Sequence, residues 1–579
     1  MTPGRDVAMG SVVQAIAVDY DGTLTQADRP TEEVLEAVRA VRRRGRAVVL
    51  VTGRILSELR TVFPEVDEEF DAIVAENGAV LADADGIRDL AVPVDPALAQ
   101  ALAHRDIPVR QGRVLLACDA VHAAAVGEEI RRLGVDGQQI RNRAALMVLP
   151  AGVTKGTGLI QALGNLGISR HSTLAIGDAE NDHHLMAVCE LGVAVANAVD
   201  RLKQRADLVL EQANGAGVAA FLRGPIVTGD QALPPSHWRL TLGAEDDGNA
   251  LQIPASQVNL LVVGASRSGK SYLTGLLVEQ LVRLDYSVLV LDREGDHRTL
   301  AERRGILAVG GKDPLPNAAQ LCVLIRHRFG SVVVDLSQHS EKEQRDYVAS
   351  IAPAVLAQRA LTGLPHWVFF DEAHTLLIDE GPWADAITAG DKGFCFSTYL
   401  PNQLPGVVHD RTDLLVLCAG TGAQANEVRD FVGQTCDHRG EDLAELLGEE
   451  RGRALLVETA NPTEPRSFTV HRRSSGHVRH WHKYIDGELP ASLRFYFTAS
   501  HRVAGNLREF HRQLASCSDT TLATHARRND FSRWVGLVIQ DEDLAGSIEA
   551  TEHRLRDGRI APDTLRHAVQ RSIEVRYLE

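Results

Sequence analysis

The sequence predicts an α/β protein built on two open, largely parallel sheets, with a small, mainly helical end. Three observations carry this. An apolar run, Ala15 to Val18, ends in Asp19, Tyr20, Asp21 and Gly22, and the carboxyl end of a strand is where an open parallel sheet binds its ligands. A second apolar run, Val258 to Val263, opens into Gly264, Ala265, Ser266, Arg267, Ser268, Gly269, Lys270 and Ser271. Far downstream, Ala504 to Leu514, Phe531 to Val538 and Ile560 to Ser572 read as helices around an aromatic core.

A chain of 579 residues exceeds what one core supports, so two to four domains are expected. Hydrophobic content of 44% with 24% charged residues is that of an ordinary water-soluble globular chain. The net charge of -16 argues against indiscriminate polyanion binding and leaves room for a local basic groove. Seven scattered cysteines form neither a disulfide framework nor a paired zinc spacing. Met1 to Gly10 has no apolar stretch behind basic residues, and no run is long enough to span a bilayer. The expectation is a cytoplasmic protein without a membrane partner.

From the front, Asp19 and Asp21 are one residue apart at a strand end, where one acid can attack phosphorus and the other exchange protons with the leaving group. Thr31 to Arg44 reads as an amphipathic helix closed by Gly45. Ala47 to Val51 is a second buried strand, and its terminal Thr52, beside Gly53 and Arg54, offers a hydroxyl to a phosphate oxygen. Lys155 stands at a loop-to-helix junction after Pro150 to Thr154. The strand Thr173 to Ile176 runs into Gly177, Asp178, Ala179, Glu180, Asn181 and Asp182, a carboxylate cluster suited to Mg²⁺.

These four elements, in this order, resemble the haloacid dehalogenase superfamily of phosphatases, in its Cof-like branch, over about residues 13–222. The resemblance implies a Rossmann-like domain with an inserted α+β cap, here about residues 83–150. It implies Asp19 as the nucleophile that forms an aspartyl-phosphate and Asp21 as general acid/base. Thr52 and Lys155 would hold the phosphoryl oxygens, and Asp178 and Asp182 would bind Mg²⁺ together with Asp19 and the Asp21 carbonyl. The short cap block favours a small phosphorylated metabolite, such as phosphoglycolate or a sugar phosphate.

Gly224, Pro225, Gly229, Pro234 and Pro235 mark residues 223–237 as a linker. Beyond it, Asp246 to Asn249 is a hairpin signal, and Gly264 to Ser271 is a complete Walker A pattern in a strand-loop-helix setting. Backbone amides there, with Gly264, Ser268 and Gly269, cradle phosphates; Lys270 meets the β and γ oxygens of ATP, and Ser271 binds Mg²⁺. His366 to Phe370 reads as a buried strand ending in Asp371, which would support the Mg²⁺ shell, and Glu372, which could orient an attacking water. With the strands Val288 to Asp292 and Phe394 to Thr398, this region resembles the HerA/FtsK class of P-loop ATPases over residues 238–470. That resemblance implies ATP hydrolysis, a homo-oligomer formed through the module, and DNA or another polymer as partner. The polar residue usual after the Phe394 to Thr398 strand is replaced by Ser397, Thr398 and Tyr399, with Asn402 and Gln403 beyond. Arg411 and Arg451 are candidate arginine fingers, each weighed against a plain surface arginine.

Residues 471–579 resemble no family. His471 to His482, with Trp481, Tyr484 and Phe495 to Phe497, mixes basic and aromatic residues as a nucleic-acid surface does, although a helical core accounts for the aromatics more simply. His525, Arg527, Arg528 and Asp530 are a further cluster. The leading expectation is a phosphatase joined to an ATPase; nucleic-acid end processing and an ATP-switched regulatory protein are the alternatives.

Overall fold

The computed structural model describes residues 13–26, 28–142, 144–265, 268–419, 452–475, 485, 489, 493–497, 502–539 and 541–578. The first sheet has eight strands: β1 (Ala15–Asp19), β2 (Ala47–Val51), β3 (Ala72–Ala75), β4 (Val80–Asp83), β5 (Gly86–Asp89), β10 (Thr173–Gly177), β11 (Leu191–Ala194) and β12 (Leu208–Val209). Their order is β12-β11-β10-β1-β2-β3-β4-β5. From β12 to β3 all pairings are parallel, and β4 and β5 add an antiparallel hairpin. β1, β2 and β10 are continuous apolar runs buried on both faces, as parallel strands covered by helices must be. The Glu32–Arg43 helix supplies one cover: Val34, Leu35, Val38 and Val41 face the sheet, Glu32 and Glu33 open it, and Arg42 and Arg43 close it.

A separate four-stranded antiparallel sheet, in order β6-β7-β9-β8, comprises β6 (Arg110–Gln111), β7 (Leu116–Asp119), β8 (Gln138–Asn142) and β9 (Ala145–Leu149). The helices Pro96–Ala103 and Ala123–Leu133 share a core with this sheet. β5 falls inside the block 83–150 expected to form the cap, yet it pairs with β4 of the main sheet. The cap's own elements therefore begin with the Pro96–Ala103 helix. A short polar hairpin strand such as Gly86 to Asp89 carries no sign of which sheet it joins.

Cap and core are tied by a turn of left-handed backbone: Glu76, Asn77 and Gly78 have φ of 52°, 56° and 104°. The buried Glu76 carboxylate accepts the amides of Arg113 at 2.9 Å, Val114 at 2.9 Å and Leu115 at 3.1 Å. A Cβ on Gly78 would overlap the Thr154 carbonyl oxygen, one residue before Lys155. Gly78→Ala is therefore expected to cost about 2 kcal/mol or more and to depress phosphatase activity by moving the lysine helix. Thermal unfolding checks this, and an unchanged melting transition would contradict the close packing.

Among the described residues the second sheet has eleven strands in order β14-β13-β23-β22-β21-β15-β20-β19-β16-β18-β17. They are β13 (Arg239–Glu245), β14 (Ala250–Pro254), β15 (Leu260–Val263), β16 (Val288–Asp292), β17 (Ile306–Gly310), β18 (Ser331–Asp335), β19 (Trp367–Phe370), β20 (Phe394–Thr398), β21 (Leu414–Cys418), β22 (Arg453–Glu458) and β23 (Asn461–Val470). β21 to β17 pair in parallel, and β22, β23, β13 and β14 form an antiparallel flank. The hairpin expected at Asp246 to Asn249 is present, with Gly248 at φ 86°. The sequence does not distinguish β17, β18, β21 and β22, since runs of about five apolar residues read equally as buried helix, nor β23, whose ten mostly polar residues include Pro462 and Pro465.

The two bodies meet through polar contacts at the amino-terminal side of β10. His171 Nε2 lies 2.6 Å from the carbonyl oxygen of Leu284, which caps the Lys270–Arg283 helix, and its ring stacks on Tyr286 at 3.5 Å. Buried Glu190 accepts from Tyr286 at 2.8 Å and from the Ser256 hydroxyl. Among its described residues the tail is a hairpin, Phe495–Phe497 with Arg502–Ala504, packed with five α-helices. Two of these, Asp519–Arg527 and Glu542–Arg556, had no counterpart in the sequence reading. Among the described residues no helix is long and apolar enough to cross a membrane.

Candidate active sites

The first site forms at the carboxyl end of β1. Gly22, at φ 88°, turns the chain sharply, its amide bonding to the Thr25 carbonyl at 2.7 Å, and this leaves Asp19 buried and Asp21 facing the cleft. The Thr154 capping box starts the Lys155–Leu166 helix and sends Lys155 inward. Lys155 Nζ lies 2.5 Å from Asp19 Oδ1 and 2.6 Å from Asp182 Oδ1, all three groups being buried. The other Asp182 oxygen accepts the amides of Asp178 and Ala179, each at 2.9 Å. Asp182 therefore orients both the lysine and the loop that carries Asp178.

Carboxylate oxygens of Asp19, Asp178 and Asp182 lie within 4.8 Å of one another. Burial opposes the charge on Lys155, but Asp182 and Asp19 outweigh it and hold the ammonium well above its ordinary range. Burial, reinforced by Asp182, pushes Asp19 up against the pull of Lys155. Three buried hard-oxygen ligands facing one lysine are a donor set that fits Mg²⁺. The Thr52 hydroxyl, fully buried at the end of β2, accepts the Arg54 amide at 3.1 Å and keeps its own proton to donate.

Two features escaped the sequence reading. Arg54 forks onto both oxygens of Asp21, at 2.6 and 3.0 Å, and so fixes the carboxylate's orientation. Asn181 Nδ2 reaches Asn77 Oδ1 at 3.1 Å, linking the metal-side loop to the turn beneath the cap. The Asn-Gly pair after an apolar strand was the available signal for that turn.

The second site lies at the carboxyl ends of β15, β19 and β20. Gly264 fits only without a side chain, since a Cβ would run into Ser268 Oγ. Gly269 opens the Lys270–Arg283 helix at φ 96°. The Ser268 hydroxyl is buried and without a hydrogen-bond partner among the described residues, which suits a phosphate cradle. Ser266 and Arg267 lie outside the described residues; Ser271 occupies the first turn of the helix. Lys270 Nζ is buried, 3.3 Å from the Ala265 carbonyl and 3.6 Å from Glu372 Oε1.

β20 separates β15 from β19, so Asp371 and Glu372 stand one strand beyond the neighbour of the strand that leads into Gly264. Ser397 bridges the gap: its hydroxyl donates to Asp371 Oδ1 at 2.8 Å and accepts the Glu372 amide at 3.3 Å. Thr398 pairs with His374 at 2.8 Å, whereas Asn402 and Gln403 are exposed. Glu372 sits at φ 47°, a strained position for a non-glycine residue. Burial pushes its carboxyl up to about 7, against Lys270 and with Asp371. Burial also works against Asp371, but the charge of His297, whose Nε2 lies 3.8 Å from Asp371 Oδ1, prevails and holds it below its ordinary value. Asp292 and His297, which the sequence reading passed over, cluster with Asp371 within 4.8 Å.

Arg411 is exposed and donates to the Thr388 carbonyl at 2.9 Å; Arg451, Trp481 and Tyr484 lie outside the described residues. In the tail, His525 is a core residue, packed against Phe495 and Phe531 and bonded to Asp530 at 2.8 Å, while Arg527 and Arg528 are exposed. The histidine of that cluster is therefore enclosed by aromatic rings of the helical core.

Comparison with known proteins returns two family models. Residues 16–95 and 127–222 match the haloacid dehalogenase-like hydrolases, and residues 257–321 match the central domain of helicase HerA. A phosphoglycolate phosphatase of Methanothermobacter thermautotrophicus is 33% identical over 220 residues, 36% of this chain and 98% of the relative. One from Methanopyrus kandleri is 32% identical over 222 residues, 36% of this chain and 95% of the relative. Among solved structures, a haloacid dehalogenase-like hydrolase from Bacteroides thetaiotaomicron is 22% identical, with a TM-score of 0.32 over 36% of this chain and 98% of its own. A HAD/COF-like hydrolase from Plasmodium vivax is 20% identical, with a TM-score of 0.33 over 38% and 96%.

Proposed function

Since this chain belongs, through residues 16–222, to the haloacid dehalogenase-like hydrolases, we propose that it is a Mg²⁺-dependent phosphatase of a small phosphate monoester, joined to an ATP-binding and ATP-hydrolysing module. The observation that carries this reading is Lys155 held between Asp19 and Asp182, beside Asp178, at the carboxyl edge of the sheet. Asp19 attacks phosphorus in line with the leaving oxygen and takes the phosphoryl group as an aspartyl ester. Lys155 and Thr52 hold the non-bridging oxygens, and Lys155 neutralises charge as it spreads over them. Asp21 passes a proton to the leaving alkoxide, then takes one from the water that cleaves the ester. Asp19, the Asp21 carbonyl, Asp178 and Asp182 would hold Mg²⁺, which when bound supplies further charge neutralisation at phosphorus. Phosphoglycolate, the substrate in the relatives' names, is the first candidate.

In the rear body, Gly264, Ser268, Gly269 and Lys270 would bind ATP phosphates, Ser271 and Asp371 would hold its Mg²⁺, and Glu372 would orient the water. The division follows the chain: phosphatase in 1–222, linker in 223–237, ATP module in 238–470 and a small helical unit in 471–579. The test is phosphate release from 2-phosphoglycolate, sugar phosphates and 3′- or 5′-phosphorylated oligonucleotides, before and after EDTA. Turnover of a small ester, lost with EDTA and restored by Mg²⁺, is expected. Activity indifferent to EDTA, or confined to oligonucleotide ends, would contradict the reading.

A further inference from the structure

We propose that Arg110, from the cap, is the residue that selects the substrate, by binding a carboxylate on the leaving group, so that the site takes small phosphate esters of carboxylic acids. This rests on the phosphatase reading above. The cap sheet faces the site with one side only. In its register Arg110 pairs with Ala117 and Ala117 with Met147, so these three stand abreast on one face, with Ala145 two residues from Met147 on the same side. The alternate residues Leu116, Cys118, Leu146 and Val148 turn the other way, into the core shared with the cap helices.

Arg110, Ala117, Ala145 and Met147 then line a cleft of about 270 Å³ with Asp19 and Asp21 on its opposite wall. The two alanines leave room and Met147 supplies an apolar floor. Among the described residues Arg110 is the cap's single charged contribution to this lining. The other lining guanidinium, Arg54, is engaged by both oxygens of Asp21. Among the described residues the Arg110 guanidinium pairs with Glu58, at 2.8 Å, in a pair 56% and 38% exposed; such surface pairs exchange partners at little cost. A cleft this small leaves only a few atoms between the phosphoryl group at Asp19 and a group at Arg110. A fork of N–H donors across from the phosphate site matches a carboxylate in both charge and shape.

The experiment compares 2-phosphoglycolate with p-nitrophenyl phosphate, whose leaving group has no carboxylate, on the full chain with Mg²⁺. Arg110→Met is expected to raise KM for 2-phosphoglycolate by about 10- to 100-fold and to leave kcat/KM for p-nitrophenyl phosphate within about threefold. Glu58→Gln, which removes the partner but not the cation, is expected to leave 2-phosphoglycolate turnover intact. Arg110→Met that slows both esters in proportion, or neither, overturns the proposal, as does Glu58→Gln behaving like Arg110→Met, which would make the pair a cap latch. A wild-type chain that hydrolyses neither ester fails the phosphatase reading itself.

Discussion

Asp19→Asn is expected to lower phosphate-ester turnover about 10³-fold or more while ATP turnover by the same chain is unchanged. The amide is nearly isosteric, so the cleft keeps its shape, but it neither attacks phosphorus nor carries the charge that Lys155 faces at 2.5 Å. The loss falls on kcat, because Lys155 and Thr52 still meet the phosphoryl oxygens. Lys155 keeps Asp182 at 2.6 Å, so the variant folds with its buried ammonium still paired. Steady-state kinetics on 2-phosphoglycolate and on ATP check both halves of the expectation. Comparable loss of both activities would mean that the two sites are one mechanism.

Glu372→Gln is the counterpart in the rear body. ATP hydrolysis is expected to fall about 10²- to 10³-fold, with nucleotide still bound, because the phosphate loop and Lys270 are untouched. Lys270→Ala is expected instead to lose binding. The contrast follows from position: Glu372 is buried at the end of β19, one carboxylate oxygen 3.6 Å from Lys270 and the other without a hydrogen-bond partner among the described residues. Equilibrium binding of a fluorescent ATP analogue together with phosphate release separates the two variants. Unimpaired hydrolysis in Glu372→Gln would favour a nucleotide that acts as a switch.

What was legible in the sequence is local. Asp19, Asp21, Thr52, Asp178, Lys270 and Asp371 all stand where an apolar run stops or a helix starts, and such boundaries are written in neighbouring residues. Their partners are not. Arg54 meets Asp21 across 33 positions and Ser397 meets Asp371 across 26, and Glu76 holds amides 37 to 39 residues on. Those contacts depend on strand order and register, which no local pattern reports. The same holds for Arg110, an exposed arginine on a two-residue strand, whose importance comes from facing Asp19 across the cleft.

The claim that Asp19 is covalently phosphorylated during turnover is tested most directly by trapping. The chain is quenched in acid while hydrolysing 2-phosphoglycolate, reduced with borohydride, digested and examined by mass spectrometry. An aspartyl-phosphate at position 19 is converted to homoserine, so a homoserine-bearing Ala15–Leu24 region, absent without substrate, is the predicted result. Phosphate release with Asp19 unmodified at every quench time, or with homoserine at another aspartate, would contradict the account.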